Sequence, residues 1–134
     1  MQGEILYKEK LNLLPLMVIG AVPEGMRINI PFKGEVSGPI IHGNLEGIDY
    51  LLLRADAVGV VHVHAVLTTD EGELISVQAS GITTALPDGR YAVKEVFTYQ
   101  TASEKLAWLN SVQGFADGFS DMSTNQLDAK VFKL

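Results

Sequence analysis

Cysteine is absent from the 134 residues, which excludes disulfides, thiolate metal sites and cysteine nucleophiles together. No run of eighteen apolar residues occurs, so no segment reads as a membrane span. Met1–Ile5 lacks the basic-then-apolar order of a signal peptide. A soluble, cytoplasmic protein with no membrane partner is the expectation. Basic residues are outnumbered, ten Lys and Arg against sixteen Asp and Glu, a net charge of −6. Nucleic acid is therefore not expected as a partner, because phosphate recognition needs basic surface. A Gly-x-Gly-x-x-Gly loop, a Walker Lys-Ser/Thr pair and a Gly-x-Ser-x-Gly elbow are all missing. Nucleotide loops and serine-elbow hydrolysis drop out, and no cofactor is expected.

What the chain does have is a clear hairpin. Val60–Thr69, Asp70-Glu71-Gly72 and Glu73–Ala79 read as strand, tight turn and strand, since the first run is rich in β-branched residues and a Gly-ended polar triplet closes short hairpins. Alternation puts Val61, Val63, Ala65 and Leu67 on one wholly apolar face, which is the expected core. The other face carries His62 and His64 among Val60, Val66 and Thr68, and chemistry is expected there.

Around this hairpin the sequence suggests further extended runs. These are Glu4–Lys10, Leu11–Ile19, Arg27–Phe32, Ile40–Gly43, Asp49–Arg54, Tyr91–Phe97, Val112–Phe119 and Leu127–Leu134. Pro15 argues against a helix through Leu11, Leu13 and Leu16, and Pro31 marks an edge or bulge. Lys33–Pro39 and Gly81–Gly89 read as turn and loop. Ser103–Asn110 is expected to form one short α-helix, N-capped by Ser103, with Leu106, Ala107, Trp108 and Leu109 suited to a lid or plug. With no linker, repeat or low-complexity tract, residues 1–134 read as one all-β domain, a single antiparallel barrel or sandwich with one short helix.

A family resemblance sharpens this. Gly20, Gly25-Met26-Arg27, Pro31, Gly34, Gly38-Pro39, Gly43, Asp49-Tyr50, Thr69–Gly72, Ile75 and Trp108-Leu109-Asn110 together resemble the bacterial family designated domain of unknown function 3237, over about Leu13–Leu134. The resemblance implies an antiparallel β-barrel, often oligomeric, and no established activity. Two departures from the family pattern stand out. Asp49-Tyr50 occupies the place of an Asp-Trp pair, and His62 and His64 occupy places that the family gives to an aspartate and an arginine. Either version puts two ionisable groups side by side on one strand face.

His62 and His64 lie about 6.5–7 Å apart at Cα, from a rise of roughly 3.3 Å per residue. They could converge on a metal with His42 as third ligand, or work as general base and orienter, since imidazole titrates near neutrality. They could equally be satisfied residues of an outer wall. The resemblance, with an acid and a base in those places, favours polar contact or proton transfer over a metal site. Tyr50 could donate a proton or wall a ligand, or pack with a satisfied hydroxyl. Arg54 could hold a carboxylate or phosphate, or pair with Asp56 or Asp49. Arg27, His42, Trp108 and Asn110 complete the candidate ligand contacts, against plain readings as an ion-pair partner, a surface residue, a helix anchor and a cap.

Two function classes follow. In the first, the barrel binds a small molecule, as eight-stranded barrels can, either as a binding protein or as a cofactor-independent isomerase, cyclase, hydratase or lyase with His62, His64 and Tyr50 catalytic. In the second, it is a structural or interaction module. A 47% hydrophobic composition leans towards a homo-oligomer, most simply a dimer.

Overall fold

In the computed structural model, which describes residues 3–134, the strands of the barrel wall alternate buried and exposed side chains over most of their length, the first half of the strand Gly25–Ser37 and the second half of the strand His42–Leu53 being mostly half-buried. Met1 and Gln2, the start of the stretch read for a leader, lie outside the described residues. The strands are β1 (Ile5–Leu13), β2 (Met17–Val22), β3 (Gly25–Ser37), β4 (His42–Leu53), β5 (Gly59–Thr69), β6 (Leu74–Ala85), β7 (Tyr91–Thr101), β8 (Gln113–Asp121) and β9 (Gln126–Lys133). All pairings are antiparallel, in the order β1-β9-β8-β7-β6-β5-β4-β3-β2. β1 also pairs with β3, from Lys8 opposite Ser37 to Leu13 opposite Phe32. That pairing closes eight strands into a barrel and leaves β2 as a ninth, flanking strand on the first half of β3.

The central hairpin forms as expected. Gly72 takes a positive φ of 85° in the turn, and the Thr69 N–H donates to the Glu73 carbonyl. Its apolar face is core: Val61, Val63, Ala65 and Leu67 point inward with Ile75, Val77 and Ala79 of β6. Burying side chains of this size contributes about 1.5–3 kcal/mol each.

Several boundaries differ from the sequence reading. The first break falls between Leu13 and Met17 and not after Lys10, Lys33–Ser37 continues β3 instead of turning, Gly81–Ala85 continues β6, and the two runs around Asn44–Gly47 are one strand, β4. In the last three cases a glycine that reads as punctuation lies inside a strand. Here it permits close approach between bent neighbouring strands. A Cβ on Gly81 would sit 1.9 Å from the Lys94 carbonyl oxygen, and one on Gly34 would sit 2.1 Å from that of Lys10.

The expected α-helix over Ser103–Asn110 is instead a 3-10 turn, Ala107–Ser111. The Ser103 hydroxyl does accept the Leu106 N–H, but only to start this tight turn. The connection is short because it spans one end of the barrel from β7 to β8. Leu106 and Leu109 are fully buried there, as a plug, with Trp108 packed beside them. Asn110 ties the turn to β7 by accepting the Thr101 N–H and donating to the Thr101 carbonyl. Among the described residues, no helix is long and apolar enough to cross a membrane.

Replacing Gly81 with Ala should lower stability by more than about 2 kcal/mol, because the colliding atom is backbone and the strands must part. Urea denaturation against the parent protein measures it.

Candidate functional site

Antiparallel alternation projects one residue in two from each strand into the barrel. At the end opposite the plug these side chains do not meet. They surround a cavity of about 190 Å³, walled by Leu11, Phe32, Leu45, Val61, Val77 and Phe97, with Leu16, Leu53, Tyr91 and Met122 also lining it. Three carboxyl groups enter this apolar lining: Glu9 from β1, Asp49 from β4 and Glu95 from β7. Among the lining residues none is Lys, Arg or His.

Glu9 is 3% exposed and Glu95 is 5% exposed. Burial pushes the Glu9 carboxyl well above its ordinary range, and repulsion from Glu95 adds to the shift. Glu95 is pushed up to about 8, first by burial and then by the charge of Asp49. Asp49 is raised by burial to about 6, held down in part by the His62 N–H, which donates to its Oδ1 at 3.2 Å. That bond has a structural origin. The β4–β5 register has no partners between Asp49↔Val63 and Leu52↔Val60, and the Asp49 side chain reaches the His62 N–H within this interval. Glu9 Oε1 is buried without a hydrogen-bond partner among the described residues. Two residues before Glu9 on β1, Tyr7 meets Tyr99 of β7 hydroxyl to hydroxyl at 2.7 Å, both fully buried. Burial and the neighbouring carboxyls keep the Tyr7 phenol protonated.

The residues singled out from the sequence fall elsewhere. His62 and His64 are exposed on the outer wall, so the expectation that their face borders a pocket is corrected: the inward face of β5 is the apolar one, and the barrel has its cavity inside. Their Nε2 atoms are 3.1 Å apart and Tyr50 packs edge-on against His64, with ring centroids 6.2 Å apart. Arg27 joins this outer group by donating to the Tyr50 carbonyl at 3.1 Å. Arg54 pairs with Asp56 in the exposed β4–β5 turn. His42 is exposed at the start of β4, and Trp108 and Asn110 belong to the plug. Among the described residues, no three His, Cys, Asp or Glu side chains are grouped to hold a metal ion. Sequence reasoning thus missed Glu9 and Glu95 and passed over Asp49. A legible signal existed: in Tyr7-x-Glu9-x-Leu11 and in Val93-x-Glu95-x-Phe97-x-Tyr99 an acid stands in phase with the apolar face.

Buried acids with raised pKa values make stability depend on pH. Unfolded, Asp49 and Glu95 titrate near 3.8 and 4.5; folded, near 6 and 8. Between these values the unfolded chain has released protons that the folded chain still holds. Stability is therefore greatest below about pH 4 on this account and falls as pH rises to 8. Glu95→Gln should lessen the decline between pH 6 and 8, leaving the part contributed by Glu9, and raise the urea midpoint at pH 8 above that of the parent. Parallel urea titrations at the two pH values provide the check.

The surroundings of this cavity can be set beside known proteins. Three solved bacterial structures superpose on nearly the whole chain. A β-barrel-like protein from Acinetobacter baumannii AYE is 21% identical with a TM-score of 0.87, covering 99% of this chain and 96% of that one. A protein of unknown function from Clostridium acetobutylicum is 22% identical at 0.87, covering 97% and 94%. A conserved protein of unknown function from Rhodopseudomonas palustris is 17% identical at 0.84, covering 96% and 93%. A structure described as an enzyme from Penicillium herquei is 20% identical at 0.70, covering 98% and 95%. Identities this low establish the shared barrel alone. No curated protein matches the chain. The family model for Protein of unknown function (DUF3237) matches residues 2–132, nearly the full length, and the chain belongs to that family.

Proposed function

We propose that the barrel binds a small, largely apolar molecule in its cavity and transfers a proton on it without a cofactor. The observation that carries this reading is the pairing of Asp49 and Glu95 in one cavity with pKa values on either side of neutrality, about 6 and about 8. At pH 7 Asp49 is mostly a carboxylate and serves as base, while Glu95 is mostly protonated and serves as acid. Environments that separate the pKa values of two acids in this way assign their roles. Isomerisation, cyclisation, hydration and elimination all need such a pair. The apolar wall excludes water and strengthens each polar contact. That the Penicillium herquei relative is described as an enzyme is consistent with chemistry on this fold. The outer His62–His64–Tyr50 group takes no part in this mechanism beyond the His62 N–H that steadies Asp49.

A panel of small cyclic ketones in D₂O tests it. The parent protein should accelerate deuterium entry beside the carbonyl, with a rate that rises as Asp49 ionises around pH 6. Asp49→Asn should lower the rate by roughly 10²–10⁴-fold, the scale of a lost general base. A rate unchanged in Asp49→Asn would refute the assignment.

A second reading, a self-associating module, is supported by β2. This strand pairs only with β3, and Met17, Val18 and Ile19 are 60%, 59% and 56% exposed. An apolar edge of this kind invites strand addition by a second copy. Light scattering should then give a dimer mass that Val18→Lys returns to that of a monomer.

A further inference from the structure

We propose that the cavity selects molecules carrying an ammonium group on an apolar body, and that Glu9 is the anchor for that group. This rests on the cavity-binding reading above and specifies its ligand. The first observation is the one-sided polarity of the lining. Glu9, Asp49 and Glu95 share it with apolar side chains, Thr83, Ser120 and Tyr91, and Tyr7 and Tyr99 lie on the same strands towards the plug. No Lys, Arg or His lines it. An anionic ligand would bring a charge into a space that already holds the Asp49 carboxylate, with no cation to meet it. A neutral ligand would leave that carboxylate uncompensated in an apolar enclosure. A cation avoids the first penalty and, lying near Asp49, lessens the second.

The second observation is independent of the first. Glu9 lines the cavity, and its Oε1 is buried with no hydrogen-bond partner among the described residues. A native protein rarely leaves such an atom unpaired without a use for it. The three N–H donors of an ammonium suit it, and the apolar wall takes the rest of the molecule. A metal ion fits less well, since the acids are not grouped to converge on one. Burial and then Glu95 raise the Glu9 carboxyl well above its ordinary range, and an ammonium beside it favours the charged form, so pairing drives its proton out. Glu9–COOH and R–NH₃⁺ become Glu9–COO⁻ held against R–NH₃⁺, with one H⁺ released to solvent.

Three probes of one shape decide the matter: benzylamine, benzyl alcohol and benzoate, titrated calorimetrically at pH 7.5 in two buffers of different ionisation enthalpy. Benzylamine should bind at least tenfold more tightly than benzyl alcohol, benzoate should not bind, and protons should leave as the amine binds. Glu9→Gln should reduce the amine preference to within twofold and lower proton release while benzyl alcohol still binds. Should that variant fail to fold, the ranking and proton count of the parent protein still decide. Benzyl alcohol or benzoate binding as tightly as the amine would overturn the ammonium assignment and leave the cavity reading standing. An amine preference undiminished in folded Glu9→Gln would overturn the role of Glu9. If none of the three probes binds, cavity binding fails with it.

Discussion

Closure of the sheet through β1 and β3 is the constraint on which the rest depends. β1 has β9 on one side and the second half of β3 on the other, so the wall has no break between the first strand and the last. A closed wall has only two faces, and alternation sends every second side chain inward whatever its polarity. The apolar residues of β5 and β6 gain from this by leaving water. Glu9, Asp49 and Glu95 are carried in with them, because they occupy the same phase of their strands.

Those three acids are costly to the fold, since among the described residues no cation lines the cavity to offset them. The cost is limited by protonation: carboxyls deprived of water and set near one another keep their protons to higher pH. A sequence selected for stability alone would place valine or leucine at such positions, since apolar replacements of buried charges are often neutral or stabilising. Retaining acids there makes stability depend on pH. The same burial that weakens the fold at high pH sets Asp49 at about 6 and Glu95 at about 8 in a single apolar cavity, the separation on which the proposed proton transfer relies.

The two ends of the barrel divide the work. Leu106 and Leu109 close one end, and Asn110 fixes that closure to β7 through two backbone contacts. Beyond the Tyr7–Tyr99 pair the interior opens into the cavity, whose far end is lined by Leu16, Leu53, Tyr91 and Met122. Leu16 precedes β2, so the flanking strand and the cavity mouth are neighbours in the chain. A second copy added at β2 would lie close to the entrance.

Alternation and turn chemistry made much of this legible from residues alone. The Val60–Ala79 hairpin, the apolar face of β5, the all-β class and the plug between Ser103 and Asn110 follow from local patterns, because strand period and glycine turns act over a few residues. The strand glycines did not yield to the same reading. Gly34 and Gly81 resemble turn residues in sequence, and only a neighbouring backbone that leaves no room for Cβ shows why they sit inside strands. The site was harder still. His62 and His64 share a face by local rule, but whether that face is inside or outside is settled by how eight strands close. Glu9, Asp49 and Glu95 lie far apart along the chain and meet only through that closure. Local periodicity thus determined which residues share a face. The tertiary structure alone decided which faces enclose a common space, because that depends on pairings between the first strand, the third and the last.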